Sequence, residues 1–431
     1  MPKSPGTARV DSLLKGKRAS LDSPPFHGWR FAAIGATLDA LLSGFYDRGF
    51  TVYFMALARD LKLSHASTSL VFGLSALEGG LQSPITGIFI DRWGPRIMMV
   101  IGAALAGVGF LLLPLANSYP VFLLIFIGII SLGANSGFHN CSAAIVTRWF
   151  VRRRGTAFGV ISMGIAIGGS VLTPVVAYMV VNHGWRVASV VSGVVLLVVG
   201  IPLASMVRNS PEELGQTPDG VQEPSEIGFR RASGVDFGFR EAARTWSYWL
   251  LSIGLTLRIA AGSGVIVHIL PLMVWKGLGE GAGGVVIASG SLAAIATRFL
   301  MGWLGDRWAK RKLVVIAMLV GAGSVLFLLY APGKLPFMIA FGVALSITDG
   351  AAGLTWAMVG DYFGRTSFAT IRGSINTMVS LGALAAPVAA GRVFDVTESY
   401  YWVLIPCSAI YVFAAAIFLV IRSPQSPGMS R

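Results

Sequence analysis

Long runs of apolar residues, separated by short polar loops, recur along the whole chain. Runs of roughly 20 residues are long enough to cross a bilayer as helices. Their pattern predicts twelve transmembrane helices and an all-α membrane protein. Predicted helices 1 to 6 cover about 30–58, 66–90, 97–116, 120–147, 155–182 and 187–207. Predicted helices 7 to 12 cover about 246–275, 281–305, 312–331, 335–360, 367–394 and 399–421.

The one long connection lies between predicted helices 6 and 7. Residues 208–245 are charged and contain several prolines, which favours a cytoplasmic linker between two six-helix bundles, 29–207 and 246–421. An N-terminal tail, 1–28, and a C-terminal tail, 422–431, flank the bundles. The N-terminal tail is polar and basic and lacks an apolar segment, so we expect no cleavable signal peptide.

A short pattern, Gly-x-x-x-Asp-Arg, ends both predicted helix 2 and predicted helix 8. Its two copies consist of Gly87, Asp91 and Arg92, and of Gly302, Asp306 and Arg307. The aspartates are 215 residues apart in a chain of 431, which indicates a duplicated bundle with pseudo-symmetry. The glycines predict a closely packed neighbouring helix, and the aspartates predict caps on a neighbour's N-terminus. We interpret the six residues as a gate; ordinary capping aspartates in basic loops are the alternative.

Composition and charge agree with a membrane location. Only 13% of the residues are charged, against about 25% in soluble domains, and 54% are apolar. The net charge of +14 comes from lysines and arginines concentrated in the tails, the linker and every second loop, Arg365 and Arg372 among them. This bias predicts cytoplasmic termini, and its spread over short loops argues against nucleic-acid binding.

Other chemistry finds little support in the sequence. Cys141 and Cys407 lie in apolar runs, where packing is favoured over a disulfide. We find no phosphate-binding loop, no nucleophile pattern and no cluster with metal-ligand spacing. The sequence therefore predicts neither an enzyme nor a bound metal or cofactor.

The first copy of the motif reads in full Gly87-Ile-Phe-Ile-Asp91-Arg92-Trp-Gly94-Pro-Arg96. It resembles the signature of the major facilitator superfamily, and this resemblance implies the major facilitator fold. A second equivalence is predicted between Arg154-Gly155 and Arg372-Gly373.

Further segments resemble the bacterial monocarboxylate transporter and oxalate/formate antiporter group: His27-Gly28-Trp29, 148–159, Gly184-Trp185-Arg186 and 211–220. That resemblance implies a carrier of small organic anions, coupled to protons or working by exchange. We expect a monomer in a bacterial inner membrane.

Charged residues at membrane depth are costly and therefore candidates for function. Arg298 stands eight residues before Asp306, about 12 Å along the helix and near mid-bilayer. A guanidinium can hold a carboxylate bidentately, and the resembled group uses a helix 8 arginine for its substrate. An ion pair with Asp349 is the alternative. Further candidate substrate contacts are Arg258, Arg48, Tyr46 and Asn376. The helix 11 lysine of the oxalate/formate antiporters has no counterpart here, which favours a monoanion over a dianion.

Six titratable residues within the predicted helices are candidates for proton coupling: Asp349, Asp39, Asp47, Glu78, His139 and His268. Burial favours the neutral form of a carboxyl, and histidine titrates near neutral pH. Asp39 and Tyr46 are seven residues apart and are predicted to share one helix face. For each candidate, an internal ion pair or hydrogen bond is the alternative.

Together these features predict a secondary active transporter for a small organic anion, working by alternating access. Proton-driven efflux of hydrophobic drugs, using Asp39 and Glu78, is the first alternative. A non-transporting membrane receptor or a channel is the alternative of another class. The duplicated gate argues against a channel, because a pore needs no two-sided gate.

Overall fold

The computed structural model describes residues 26–60, 65–220 and 236–424, and within these ranges the chain forms helices and turns without a β-strand. The all-α fold class is confirmed. Most of the predicted tails, at 1–25 and 425–431, and the middle of the linker, at 221–235, lie outside the described residues.

Among the described residues, twelve helices, α1 to α12, correspond to the twelve predicted ones. The N-terminal bundle holds α1 (Gly28–Leu42, Ser43–Asp47 and Gly49–Asp60), α2 (His65–Trp93), α3 (Pro95–Leu112), α4 (Tyr119–Trp149), α5 (Arg154–Ile167, Gly168–Leu172 and the start of Thr173–Val195) and α6 (the rest of that segment, Leu196–Gly200 and Ile201–Met206). The C-terminal bundle holds α7 (Trp246–Ile266 and Ile269–Trp275), α8 (Glu280–Gly305), α9 (Lys310–Tyr330), α10 (Leu335–Gly350 and Ala352–Phe363), α11 (Phe368–Thr397) and α12 (Tyr401–Val420).

Nine helical runs in the described part of the chain are long and apolar enough to cross a membrane. One of them, Arg154–Met206, contains both α5 and α6, which are divided where Gly184 adopts a φ of +83°. Large apolar side chains such as Leu124, Val181 and Val388 are exposed on the outside of the bundles. Such a surface fits a protein whose surroundings are lipid.

Several helices are interrupted near their middles. α1 contains a π-helical turn at Ser43–Asp47, which adds a residue to the turn and rotates the remainder of the helix. α4 breaks at Phe138, with φ −125° and ψ −95°, and α10 breaks at Ala351. The two breaks are 213 positions apart, close to the spacing of the repeated motif. The duplication therefore extends to irregular features that the apolar pattern does not reveal.

The two bundles meet along two helix pairs, α2 with α11 and α5 with α8. Glycine is required at both seams because backbones approach closely. A Cβ at Gly87 would meet the backbone of Ala369 and Thr370, and one at Gly302 would meet the backbone of Gly155. We call the end of the molecule that carries both motif copies the motif face.

Candidate functional site

Asp91 joins the N-terminal bundle to the first turn of α11. Its carboxylate accepts hydrogen bonds from the backbone N–H of Ala369 (3.2 Å) and of Thr370 (2.9 Å), and from the Thr370 hydroxyl (2.7 Å). A helix N-terminus has unpaired N–H groups and a partial positive charge, so a carboxylate binds well there. The nearest arginine is Arg148 of α4, with Nη2 3.9 Å from Asp91 Oδ1. The cap that the motif predicts is present.

Asp306 makes the matching contact with the first turn of α5. It accepts from the backbone N–H of Gly155 (2.7 Å) and of Thr156 (2.8 Å), and from the Thr156 hydroxyl (2.5 Å). The motif arginines play a different part. Arg92 is exposed, and Arg307 stacks on Trp303 of its own helix at 3.7 Å. The aspartates and glycines of the motif, rather than its arginines, therefore connect the bundles.

The caps also correct one predicted equivalence. Gly155-Thr156 and Ala369-Thr370 receive the same contacts and are 214 positions apart. At that spacing Arg372 corresponds to Phe158, so the predicted match of Arg154 with Arg372 is wrong. The Arg-Gly pairs look alike in sequence, but the backbone contacts decide the register.

Outside the caps, two further contacts cross the motif face. Arg154 Nη1 donates to Asp361 Oδ1 at 2.9 Å, and Asp361 also binds Lys310 at 2.6 Å. Arg365, between α10 and α11, donates to the backbone oxygen of Arg148 (2.8 Å) and to Glu212 in the linker (3.1 Å). The motif face is therefore closed by several layers of polar contacts.

Below these layers lies a cavity of about 280 Å³ between the two bundles. Helices from both sides line it: α1, α2, α4 and α5, and α7, α8, α10 and α11. Its titratable lining residues are Asp39, His139, Arg258, Arg298 and Arg372. A groove of about 750 Å³ on the outside of α2, α3 and α4 is larger, but its lining is almost wholly apolar and faces the lipid side. The convergence of charge makes the smaller cavity the candidate site.

Arg298 lines this cavity, as its position near mid-helix leads one to expect. Its Nη1 donates to the backbone oxygen of Ser162 on α5 at 2.8 Å, across the seam. Its Nη2 lies 3.7 Å from Asp349 Oδ2, so the alternative ion pair is also present. Asp349 lies beside the break in α10, two residues before Ala351.

Two more arginines share the cavity. Arg258 is 4% exposed and donates from Nη1 to the backbone oxygen of Thr348 at 3.2 Å. Arg372 donates from Nη1 to the backbone oxygen of His139 (2.6 Å) and to Asn140 Oδ1 (2.8 Å). The Arg372 guanidinium also lies 4.6 Å from the centre of the Trp356 ring, a cation–π distance.

The three arginines have one feature in common. Each uses Nη1 to bind a helix carbonyl, and each has a buried Nε–H without an acceptor in the described part of the chain. The guanidinium is a rigid fork, so fixing one nitrogen also fixes the others. A buried donor without a partner costs about 1–3 kcal/mol. The Nε atoms are closed off from the cavity, so a bound anion would be held through the Nη2 groups, for which no hydrogen bond is found in the described part of the chain.

The sequence pattern groups Arg372 with the loop arginines, and the structure corrects this. α11 begins at Phe368, so Arg372 stands one turn inside the helix, on the floor of the cavity. The register of the caps, which puts the first turn of α11 against Asp91, is the signal that would have identified it.

His139 lies at the break in α4, between two carboxylates of α1. Its Nε2 is 3.1 Å from Asp47 Oδ2 and its Nδ1 is 3.2 Å from Asp39 Oδ1. The first contact is a hydrogen bond; the second is an ion-pair distance at an angle that makes no hydrogen bond. Asp39 is fully buried, and neither of its oxygens accepts a hydrogen bond within the described residues. Three proton-coupling candidates thus form one cluster.

The other candidates are placed differently. Asn376 lines the cavity. Tyr46 does not; its hydroxyl hydrogen-bonds Ser75 (2.7 Å) and Ser131 (2.8 Å). The prediction that Tyr46 shares a face with Asp39 is wrong, because the π-helical turn Ser43–Asp47 changes the register between them.

Glu78, Arg48 and His268 also lie outside the cavity lining. Glu78 accepts from Ser131 (2.5 Å) and from Asn135 (3.1 Å), between α2 and α4. Arg48 packs beside Gly169 of α5, where a Cβ would be 3.2 Å from Arg48 Cγ. The His268 ring faces the backbone oxygen of Pro387 (3.1 Å) and the hydroxyl of Tyr400 (3.3 Å).

Comparison with known proteins places this architecture in a family. The family model of the Major Facilitator Superfamily matches residues 40–281 and 256–430. Monocarboxylate transporter 12 of Homo sapiens is 23% identical, over 94% of this chain and 83% of that protein. Monocarboxylate transporter 11 of Mus musculus is 25% identical, over 91% and 87%. A probable L-galactonate transporter of Escherichia coli (strain K12) is 23% identical, over 89% and 88%.

Solved structures agree on the fold. A variant of the E. coli fucose:proton symporter matches with a TM-score of 0.71 at 13% identity, covering 92% of this chain and 98% of that one. A second crystal structure of that symporter, in the outward conformation, also has a TM-score of 0.71 at 13% identity, over 91% and 97%. With the duplicated motif, the two bundles and the family match on nearly the whole chain, the protein is a multi-pass membrane transporter that belongs to the Major Facilitator Superfamily.

Proposed function

We propose that this transporter carries a small organic anion of the monocarboxylate type, bound in the central cavity by Arg298, Arg258 and Arg372. The observation that supports this most is the convergence of three arginines, each anchored to a helix carbonyl through Nη1, on one cavity between the bundles. A carboxylate offers two acceptor oxygens in the plane that a guanidinium fork matches. Relatives named for monocarboxylates and L-galactonate point to the same chemical class.

Charge balance in the cavity favours a monoanion. Three guanidiniums and the His139 ring stand close to three carboxylates, Asp39, Asp47 and Asp349, which gives an excess of one positive charge when the ring is protonated. One bound carboxylate would neutralise that excess. Arg372 supplies an α11 cation that the sequence pattern does not reveal, but the acidic neighbours keep the expectation of a monoanion in place.

The volume and the lining of the central cavity restrict the class of substrate further. Ligand pockets for drug-sized molecules measure about 300–1,000 Å³, and this cavity holds about 280 Å³. Phe158, Ile161 and Leu255 line it together with the arginines, so the cavity offers a substrate both charge and apolar surface. A small carboxylate with a short carbon chain fits this combination. Efflux of a bulky hydrophobic cation fits neither the volume nor the arginines.

Transport would proceed by alternating access, with the two bundles rocking around the cavity. The closed motif face is one end state, held by the Asp91 and Asp306 caps. Opening that face requires both caps to break. The concentration of basic residues on the motif side favours a cytoplasmic motif face, and we assign the protein, as a monomer, to a bacterial inner membrane.

Uptake by the purified full-length protein in liposomes tests this proposal. Lactate, pyruvate, formate, oxalate and a panel of cationic drugs are compared in wild type and in Arg298→Gln. We expect saturable monocarboxylate uptake with counterflow, lost in Arg298→Gln and retained in Arg307→Gln, the matched arginine on the exposed motif loop. Anion uptake that is unchanged in Arg298→Gln contradicts the proposed site. A single-channel conductance would indicate a pore instead of a carrier.

A further inference from the structure

The cluster of His139, Asp39 and Asp47 has an unusual proton count. Both ring nitrogens of His139 face a carboxylate oxygen, at 3.2 Å and 3.1 Å. A neutral imidazole carries one N–H and one lone pair, whereas a carboxylate only accepts. A neutral ring between two carboxylates would therefore leave a lone pair facing a negative charge. The arrangement needs one more proton, on the ring or on one of the carboxyls.

The burial of Asp39 increases the need for that proton. Asp39 is fully buried and accepts no hydrogen bond in the described part of the chain. A buried, ionised carboxylate without hydrogen bonds is strongly disfavoured unless a positive charge compensates it. The charges available to compensate it are a protonated His139, with Nδ1 3.2 Å away, and the guanidinium of Arg372, which lines the same cavity. The negative charge of Asp39 is thus compensated by a proton on the pair or by the guanidinium of Arg372.

We propose that the Asp39–His139 pair carries the proton that is transported with the anion, and that Arg372 couples the two ligands. This rests on the proposed function, because it assigns the coupling site of the same cavity. Arg372 binds the backbone oxygen of His139 itself, at 2.6 Å. An anion on Arg372 takes up part of the positive charge that Asp39 relies on, so the pair gains a proton. The proton in turn releases Arg372 for the anion, and the two effects are equal by linkage.

The surroundings of the pair support this assignment. From α4, Asn140 and Cys141 are uncharged neighbours, and α5 lines the cavity only with Phe158, Ile161, Ser162 and Ile165. From α7 and α8, Arg258 and Arg298 face the cavity, and both are associated with Asp349 on α10. From α2, Glu78 binds Ser131 and Asn135 rather than His139. Among the cavity arginines of the described chain, Arg372 is the one that contacts the backbone of His139, so it links the anion site to the pair.

The position of His139 explains how a proton would affect conformation. It is the first residue after the break at Phe138, and both its carboxylate partners lie on α1, where Asp39 precedes the π-helical turn Ser43–Asp47 and Asp47 ends it. The bridge therefore joins two irregular points of the N-terminal bundle. Loss of the proton would set the ring and at least one carboxylate apart, and would let α1 move relative to α4.

The test uses the full-length protein in liposomes with lactate as the probe. Gradient-driven uptake is measured with an inward proton gradient, and counterflow is measured without one. In Asp39→Asn and His139→Gln we expect the stimulation by the gradient to fall by about tenfold or more, the size of a typical coupling. Counterflow should persist in both variants, at a reduced rate. His268→Gln is the matched control, since His268 lies in the membrane but outside the cavity, and its gradient response should remain.

A binding measurement distinguishes a loss of proton coupling from misfolding of a variant. Lactate is mixed with wild-type protein in weakly buffered detergent solution, and a pH indicator follows proton uptake. We expect about one proton per lactate in wild type, and none in His139→Gln with lactate binding still detectable. Asp39→Glu, which keeps a titratable carboxyl, should retain part of the proton uptake.

Two results would overturn the assignment. One is an unchanged gradient response in both Asp39→Asn and His139→Gln. The other is a loss of proton uptake on lactate binding in Asp349→Asn but not in His139→Gln, which would move the proton site to α10. Failure of the proposed function looks different, because wild type would then take up none of the anions in the panel.

Discussion

The two bundles repeat each other at the motif face and differ in the cavity. Asp91 and Asp306 cap matching first turns of α11 and α5, each through two N–H groups and a threonine hydroxyl. In the cavity the corresponding positions differ: Ser83 stands 215 positions before Arg298. The two copies of the repeat are therefore alike where they close the motif face and unlike where they line the cavity.

This difference has a physical reason. Closing one face requires equal contacts on both sides of the seam, because a single pair of helices would only hinge. A small anion with one charged end is itself asymmetric, so equal cavity walls would bind it poorly. The C-terminal bundle supplies Arg258, Arg298 and Arg372, and the N-terminal bundle supplies Asp39 and His139. In our proposals the first bundle handles the proton and the second handles the anion.

The largest effect is expected at the seam glycines. Gly87→Leu and Gly302→Leu place a side chain against the backbone of the opposite bundle, which cannot move aside without separating the bundles. We expect transport to be abolished and the motif face to stay open. Spin labels at Trp93→Cys and Trp308→Cys, both exposed on that face, should move apart to a similar extent in both variants. A separation in only one variant would mean that the two copies of the motif are not equivalent.

Substitutions at equivalent cavity positions of the two bundles should lower transport activity to different extents. Arg298→Gln removes a charged donor, and two lost hydrogen bonds to an anion, at about 1.5 kcal/mol each, lower kcat/KM for lactate about 100-fold. Ser83→Ala removes a hydroxyl that accepts from Asn140 at 3.1 Å and should lower kcat/KM less than about threefold. Similar losses in the two variants would refute the asymmetry of the cavity.

A comparison of Arg372 with Arg365 separates anion binding from cross-bundle contact. Both donate to a backbone oxygen of the N-terminal bundle, at 2.6 Å and 2.8 Å, but only Arg372 lines the cavity. Arg372→Gln should raise the KM for lactate about tenfold, the value of one charged hydrogen bond. Arg365→Gln should change the KM less than about threefold and act mainly on the maximal rate. Equal KM changes would make Arg372 a structural contact.

The smallest effect is expected at Glu212, in the linker outside the membrane-spanning helices. Burial acts to raise its pKa, but hydrogen bonds from its own backbone, from Ser210 and from Arg365 hold the pKa below the ordinary 4.5. A lowered pKa in the closed state means that the contact stabilises closure above pH 4.5 and is lost as the pH falls through the lowered value. Glu212 is half-exposed, so its contribution stays below about 1 kcal/mol. On acidification the spin-label distance should therefore lengthen slightly more in wild type than in Glu212→Gln.

The sequence predicted the regular parts of the fold well. Apolar runs indicate twelve helices because each helix must satisfy its own backbone in lipid, and the doubled motif indicates both the repeat and its caps. Arg298 was predictable through its distance from Asp306 on an uninterrupted helix, α8. Positions that can be counted along a straight helix from a recognisable end are predictable.

The placements that the sequence did not predict depend on irregular points and ends of helices. The π-helical turn Ser43–Asp47 contains no proline or other clear signal, yet it separates Tyr46 from Asp39. The break at Phe138 brings His139 between two carboxylates, although nothing in the apolar pattern marks it. The charge pattern groups Arg372 with the loop arginines because it lies close to the start of predicted helix 11; α11 begins at Phe368 under the Asp91 cap, so Arg372 lies one turn inside the helix.

The chemistry of the seam has a thermal consequence. The cap contacts that break when the motif face opens are made by backbone N–H groups, threonine hydroxyls and carboxylates, as the Asp306 cap illustrates. Exposure of apolar surface raises heat capacity, and exposure of polar surface lowers it. Breaking the caps should therefore not raise the heat capacity, and opposes the increase from apolar surface exposed elsewhere between the bundles, so that the free-energy difference between the end states varies more nearly linearly with temperature.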